Sequence, residues 1–258
     1  MGLKANLYAI QDALGFLTSI IPSHDFSLKA LAKALSYLGV AGFILGVGLT
    51  LPTLTLNYAL NLKGLPLLLT SALSALFLVG LEIYATSALH WDGLADLGDG
   101  IGSGKVGKNF WEVLHDSRVG TFGVLALLGA SLTLWLLVTA HIYFDHWLPL
   151  ILAPAWSRQA PLWLAHKENP YQNSRLGLSF CQALKLNPQS YLIAQFWLCS
   201  PLICLFFHLS LSYPALIFIQ MALNFRFKTW ARAQGGLSGD FLGAGIIVSQ
   251  INFLFMTL

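Results

Sequence analysis

Seven apolar runs recur along the chain, at residues 36–58, 65–89, 121–144, 147–165, 190–209, 212–225 and 241–257. A helix of about 20 apolar residues crosses the roughly 30 Å hydrocarbon core of a bilayer, so the pattern predicts a polytopic membrane protein. The runs are continuous rather than alternating, which favours helices over the strands of a membrane barrel. Composition agrees. Of 258 residues, 56% are hydrophobic and only 10% charged, with a mean hydropathy of +0.68, whereas a soluble domain carries about a quarter charged residues. The expected fold class is all-α, a membrane helix bundle of about seven spans. The sixth run is short and the first rich in glycine, which leaves the count open by one.

Residues 7–21 are apolar but too short to span, and they include Asp12. They predict an interfacial N-terminal helix and lack the small-residue cleavage site of a signal peptide. No linker, repeat or low-complexity segment divides the chain, so a single domain over 1–258 is expected. Cys181, Cys199 and Cys204 follow no C-x-x-C spacing. They signal neither a disulfide framework nor a zinc site and read as small apolar helix residues.

The basic residues orient the bundle. With seven spans, Lys4, Lys29 and Lys33, then Lys105, Lys108 and Arg118, then Lys167, Arg175 and Lys185, and finally Arg226, Lys228 and Arg232 all fall on one face. That is twelve of the fourteen; Lys63 alone lies opposite, and Arg158 sits inside the fourth run. The positive-inside rule assigns the crowded face to the cytoplasm. Asp92, Asp96, Asp99, Glu112, Asp116, Glu168 and Asp240 fall on or near the same face. Chemistry is therefore expected at the cytoplasmic side of the inner membrane.

The most informative stretch is His90-Trp-Asp92-Gly-Leu-Ala-Asp96-Leu-Gly-Asp99-Gly100. Aspartates at i, i+4 and i+7 share one stripe of a helix and repel one another, more so near a low-dielectric boundary. Three together point to a cation, and hard oxygen ligands without thiolates favour Mg²⁺ or Mn²⁺, with Ca²⁺ a further candidate. The alternative is a polar turn whose aspartates cap helix ends, which needs one carboxylate rather than three. Next comes the flexible basic loop Gly102-Ser-Gly-Lys105-Val-Gly-Lys108, which suits a diphosphate but does not match a P-loop. His115-Asp116-Ser-Arg118-Val-Gly-Thr-Phe-Gly123 then offers a carboxylate, a bidentate phosphate binder and a helix N-terminus. Gly235-Gly-Leu-Ser238-Gly-Asp240 opens the last run on the same face. Glu82 and Arg158 lie inside spans, at a cost of about 2.5–3.5 kcal/mol for a central membrane charge, so they are expected to face a polar cavity or each other. The other histidines show no ligand spacing.

Assembled, these blocks closely resemble the cobalamin synthase (adenosylcobinamide-GDP ribazoletransferase) family. The resemblance rests on His90-x-Asp92-Gly-Leu-Ala-Asp96-x-x-Asp99-Gly, on Asp116-Ser-Arg-Val-Gly-Thr-Phe-Gly123, on Ser157-Arg158, and on Gly235-Gly-x-Ser-Gly-Asp240-x-x-Gly243-Ala. Phe16-Leu-Thr18 is similar to the family's N-terminal block, but Ser19 stands where a basic residue is expected, Ser87 where glycine is usual and Gln250 where glutamate is frequent. The resemblance implies that adenosylcobinamide-GDP and α-ribazole, or its 5′-phosphate, react to give adenosylcobalamin, or its 5′-phosphate, and GMP. Under that reading Asp92, Asp96 and Asp99 hold Mg²⁺, with Asp116 or Asp240 completing the shell. Arg118 with Lys105 or Lys108 neutralises phosphate, and His90 or an aspartate takes the hydroxyl proton. Glu82, Arg158, Ser238 and Asp240 are expected substrate contacts. The partners are the two substrates and the lipid bilayer; a homo-oligomer is compatible, and no nucleic acid is expected. A CDP-alcohol phosphotransferase fits less well, since Asp96 occupies that family's arginine position. A transporter component would place its charges near the midplane rather than at one face.

Overall fold

In lipid each backbone N–H and C=O must be satisfied within its own segment, so long apolar runs fold as helices. The computed structural model describes residues 2–25, 27–205 and 212–258. Thirteen α-helices follow one another there. They are α1 (Gly2–Leu17), α2 (Leu28–Ala34), α3 (Leu38–Leu62), α4 (Leu67–Ala85), α5 (Leu89–Gly102), α6 (Lys108–Leu114), α7 (Thr121–Tyr143), α8 (Trp147–Ser157), α9 (Ala160–Ala165), α10 (Arg175–Leu186), α11 (Gln189–Leu205), α12 (Ser212–Ala233) and α13 (Gly239–Met256).

The class is as expected, and among the described residues four continuous helical segments have by themselves the length and apolarity to cross a membrane. They are Leu28–Leu62, Leu67–Ala85, Thr121–Tyr143 and Gly239–Met256. The run at 147–165 is not one helix: it breaks between Ser157 and Ala160, where Pro161 in the first turn of α9 cannot donate a backbone N–H. The run at 190–209 corresponds to α11, and its last residues, with His208, lie outside the described residues. The run at 212–225 is the first part of α12, which continues to Ala233 and carries Arg226, Lys228 and Arg232. The N-terminal helix forms as α1 and packs on α2 and α3.

Close backbone packing holds the bundle together, as expected where lipid is as apolar as leucine. α3 runs antiparallel to α8, with Gly42 against the backbone of Pro154 and Gly46 against that of Ile151. α13 is the central helix and packs against α5, α7, α8, α9 and α12. Buried His141 on α7 is hydrogen-bonded through Nε2 to the Leu254 carbonyl of α13 (2.9 Å).

The four basic segments meet at one end. Asn187 donates to the Ala32 carbonyl (2.8 Å). The Trp111 indole donates to the Gln234 carbonyl (2.7 Å) and stacks on Tyr171 at 3.7 Å. Asn169 and Tyr171 exchange backbone hydrogen bonds with Leu237. Glu168, buried, receives both Arg232 Nε (2.8 Å) and an Arg232 terminal nitrogen (2.5 Å). The single charged face read from the sequence is thus one connected surface.

Candidate active site

α4 ends at Ala85, and the chain turns through Ser87 (φ 48°) and Ala88 (φ 57°) into α5. Both residues adopt the left-handed region that glycine enters without cost, which accounts for the glycine usual at position 87 in the resembled family. α5 then lies between α7 and α13 with His90, Trp91, Gly93, Ala95 and Leu97 buried. A Cβ at Gly93 would stand 2.9 Å from the Asp240 Cα. Only glycine lets the first turn of α13 descend onto α5, and this brings Asp240 beside Asp92 and Asp96.

The result is a concentration of negative charge. Partial burial, then the charges of Asp92, Asp240 and Asp99, push the Asp96 carboxyl up to about 7. Ser238 donates to Asp240 (2.8 Å) and orients it. Asp99, expected in the same metal set, is used differently. One carboxylate oxygen accepts the Gly120 N–H and the other the Gly123 N–H, both at 2.7 Å, so it caps the N-terminus of α7. The capping alternative therefore holds for one of the three aspartates. Among the described residues no three His, Cys, Asp or Glu side chains converge to hold a metal by themselves. Mg²⁺ commonly takes one or two carboxylates and completes its shell with water and substrate phosphates. The unmatched carboxylates of Asp92, Asp96 and Asp240 fit that mode.

The remaining expected residues separate into two groups. Asp116 accepts Arg118 Nε (3.1 Å) and a terminal nitrogen (2.9 Å) in the solvent. These bonds, together with one from the Arg118 backbone, hold the Asp116 carboxyl down at about 2. Lys105 is exposed, and exposed Lys108 approaches Glu112 at 3.7 Å. Glu82 and Arg158, by contrast, are 3% and 0% exposed and meet at 2.8 Å. Gln250 donates to the free oxygen of Glu82 and accepts from Arg158, each at 2.8 Å. Of the two placements expected for this pair, the structure has them facing each other. An amide, donor at one end and acceptor at the other, completes the pair without adding charge.

His90 is buried within range of the Arg158 charge. Burial first, then the Arg158 charge, lowers its pKa to about 3, so the ring is neutral. Its Nε2 is buried without a hydrogen-bond partner. With Asp92 and Asp240 it lines a cavity of ≈160 Å³ whose other walls include Phe16, Ser174, Leu176, Phe180 and Ile246. Sequence reasoning missed most of this wall. Ser174 caps α10 by accepting the Gly177 N–H (3.1 Å), and a serine before an amphipathic stretch was a readable helix start. Nothing in the sequence indicated which end of the bundle that helix covers. Cys181 is buried, and the side chains of Cys199 and Cys204 lie outside the described residues.

The profile of the cobalamin-5-phosphate synthase family matches residues 9–258. An adenosylcobinamide-GDP ribazoletransferase of Nitratidesulfovibrio vulgaris (strain DP4) is 33% identical over 239 residues, covering 91% of this chain and 90% of its own. Proteins of the same name from N. vulgaris (strain Miyazaki F) and Vibrio parahaemolyticus are 30% and 27% identical, covering 99% and 95% of this chain and 97% and 89% of their own. No solved structure matches the chain.

Proposed function

The chain belongs to the cobalamin-5-phosphate synthase family, and from that premise we propose the following reaction. Adenosylcobinamide-GDP joins α-ribazole, or its 5′-phosphate, to give adenosylcobalamin, or its 5′-phosphate, and GMP. The observation that carries the reading is the carboxylate group of Asp92, Asp96 and Asp240, of which Asp92 and Asp240 line a mainly apolar cavity. Such a group calls for a cation and a polyanionic substrate, and a diphosphate bound through Mg²⁺ (or Mn²⁺) supplies both.

A ribose hydroxyl oxygen attacks the cobinamide-side phosphorus. The new P–O bond forms as the bond to the bridging oxygen breaks, and GMP leaves with that oxygen. The hydroxyl proton passes to His90 Nε2 or to the Asp92 carboxylate, which share the cavity. Asp92 and Asp96 would hold Mg²⁺, with Asp240 alongside; bound there, the ion offsets diphosphate charge and stabilises the leaving GMP. Asp99 positions the α7 N-terminus next to this group. Arg118, Lys105 and Lys108 stand at the same charged end to neutralise phosphate oxygens, Arg118 by exchanging its exposed Asp116 partner for substrate. The work is positioning and charge neutralisation, which suits displacement at phosphorus.

The basic end is read as facing the cytoplasm, with the bundle in the inner membrane. Buried Glu82, Arg158 and Gln250 are spent on one another, which disfavours a charged transport path. The test is GMP release by purified protein given both substrates, with Mg²⁺ and with EDTA. Release requiring both substrates and the metal is expected, with a corrinoid product of matching mass. No release from folded protein overturns the reading.

A further inference from the structure

Two substrates contain three bulky parts, the corrin, the guanosine and the ribazole nucleoside, and the cavity beside the aspartates discriminates among them. Its volume is ≈160 Å³, close to that of an apolar cavity that accepts a benzene ring, about 150 Å³. A corrin is several times too large. Guanine carries hydrogen-bonding groups around its edge, and burying them without partners is costly. Its apolar lining includes buried Phe180 and Ile246, partly buried Phe16 and the half-exposed Leu176, none of which can satisfy such groups. The polar lining comes from His90, Asp92, Asp240 and Ser174. Of the lining residues, His90 alone has a fully buried side-chain nitrogen or oxygen without a partner among the described residues.

A cavity lined mainly by aromatic and aliphatic side chains, with two carboxylates among them, suits a molecule that has both an apolar and a polar part. That molecule has an uncharged planar bicyclic base and a sugar whose hydroxyl must reach the phosphorus. The geometry points to this cavity as the acceptor site. The ribazole base lies against Phe16, Phe180, Leu176 and Ile246, its ribose faces Asp92 and Asp240, and His90 Nε2 provides the one buried hydrogen-bonding position. The assignment rests on the transferase reading for the identity of the acceptor. It adds that Leu176 and Ile246 determine which bases are accepted.

The test uses the full-length protein in nanodiscs. Ile246→Phe narrows the cavity at a buried position, and Leu176→Trp narrows it at a half-exposed one, where folding tolerates an added ring. The expected result is a rise of about tenfold or more in KM for α-ribazole, with KM for adenosylcobinamide-GDP unchanged. The nucleoside whose base lacks the two ring methyls should recover the loss. That rescue excludes misfolding as the cause. Equal losses for both substrates, a loss confined to the donor, or no rescue by the smaller base overturns the assignment while leaving the transferase reading intact. Equilibrium binding of α-ribazole alone separates the remaining case. If wild-type protein releases no GMP yet binds α-ribazole, and Ile246→Phe abolishes that binding, the reaction is wrong and the pocket stands. If wild-type protein does not bind α-ribazole, the assignment falls.

Discussion

Two polar groups are built from the same end of the bundle and solve opposite problems. In the buried knot, Glu82, Arg158 and Gln250 from α4, the α8–α9 break and α13 match charge with charge and pair their polar atoms except Arg158 Nε, which has no partner among the described residues. In the aspartate group, α5 and α13 bring carboxylates together without an ion pair to Lys or Arg among the described residues, His115 nearby partly offsets the charge of Asp240, and Asp96 is pushed up to about 7. A matched group completes a fold. An unmatched group stores repulsion that a ligand can relieve, and it marks where substrate chemistry belongs.

The contrast can be broken most severely at the knot. Arg158→Met leaves Glu82 buried without its partner and should cost about 3–5 kcal/mol, read from denaturant unfolding in detergent. Adding Glu82→Gln should recover most of it. A cost below about 1 kcal/mol would mean that the knot does not support the fold. Asp96→Asn should behave in the opposite way. Turnover should fall by about 10²–10³-fold, while unfolding is unchanged or shifted upward, because one repelling charge is gone. An active Asp96→Asn protein would remove the metal assignment. Gly93→Val connects the two regions. Its side chain meets the Asp240 backbone, so it should cost about 1–3 kcal/mol and lower turnover by separating Asp240 from Asp92 and Asp96. The smallest effect is expected from Lys108→Ala, whose pair with Glu112 is exposed. The unfolding midpoint should not move measurably, and KM for the nucleotide donor should rise severalfold; a loss of stability would mean that the basic loop is structural.

Much of this was legible before any coordinates. Charge placement alone gathered the basic segments on one face, and the cost of burying Glu82 and Arg158 predicted that they meet or face a cavity. Helical spacing gathered Asp92, Asp96 and Asp99 on one stripe, yet spacing is blind to neighbours. The N-terminus of α7 comes within reach of Asp99 and claims both its oxygens. Spacing is blind to helix breaks as well: hydropathy averages across residues 147–165, whereas the segment divides into α8 and α9 next to Pro161. The cavity was the least legible part, because Phe16, Ser174, Phe180 and Ile246 are distant in sequence and carry no shared pattern.

α13 supplies Asp240, the residues around Gly243 and the Ile246 wall, while Phe16 comes from α1. A chain inserted in order of synthesis therefore carries an open, unassembled site until its last long apolar helix has entered the bilayer. Every fragment that stops before Gly239 lacks Asp240 and the α13 wall, so it cannot bind acceptor or transfer to it. Under the proposed reaction, a chain lacking α13 is therefore expected to be inactive.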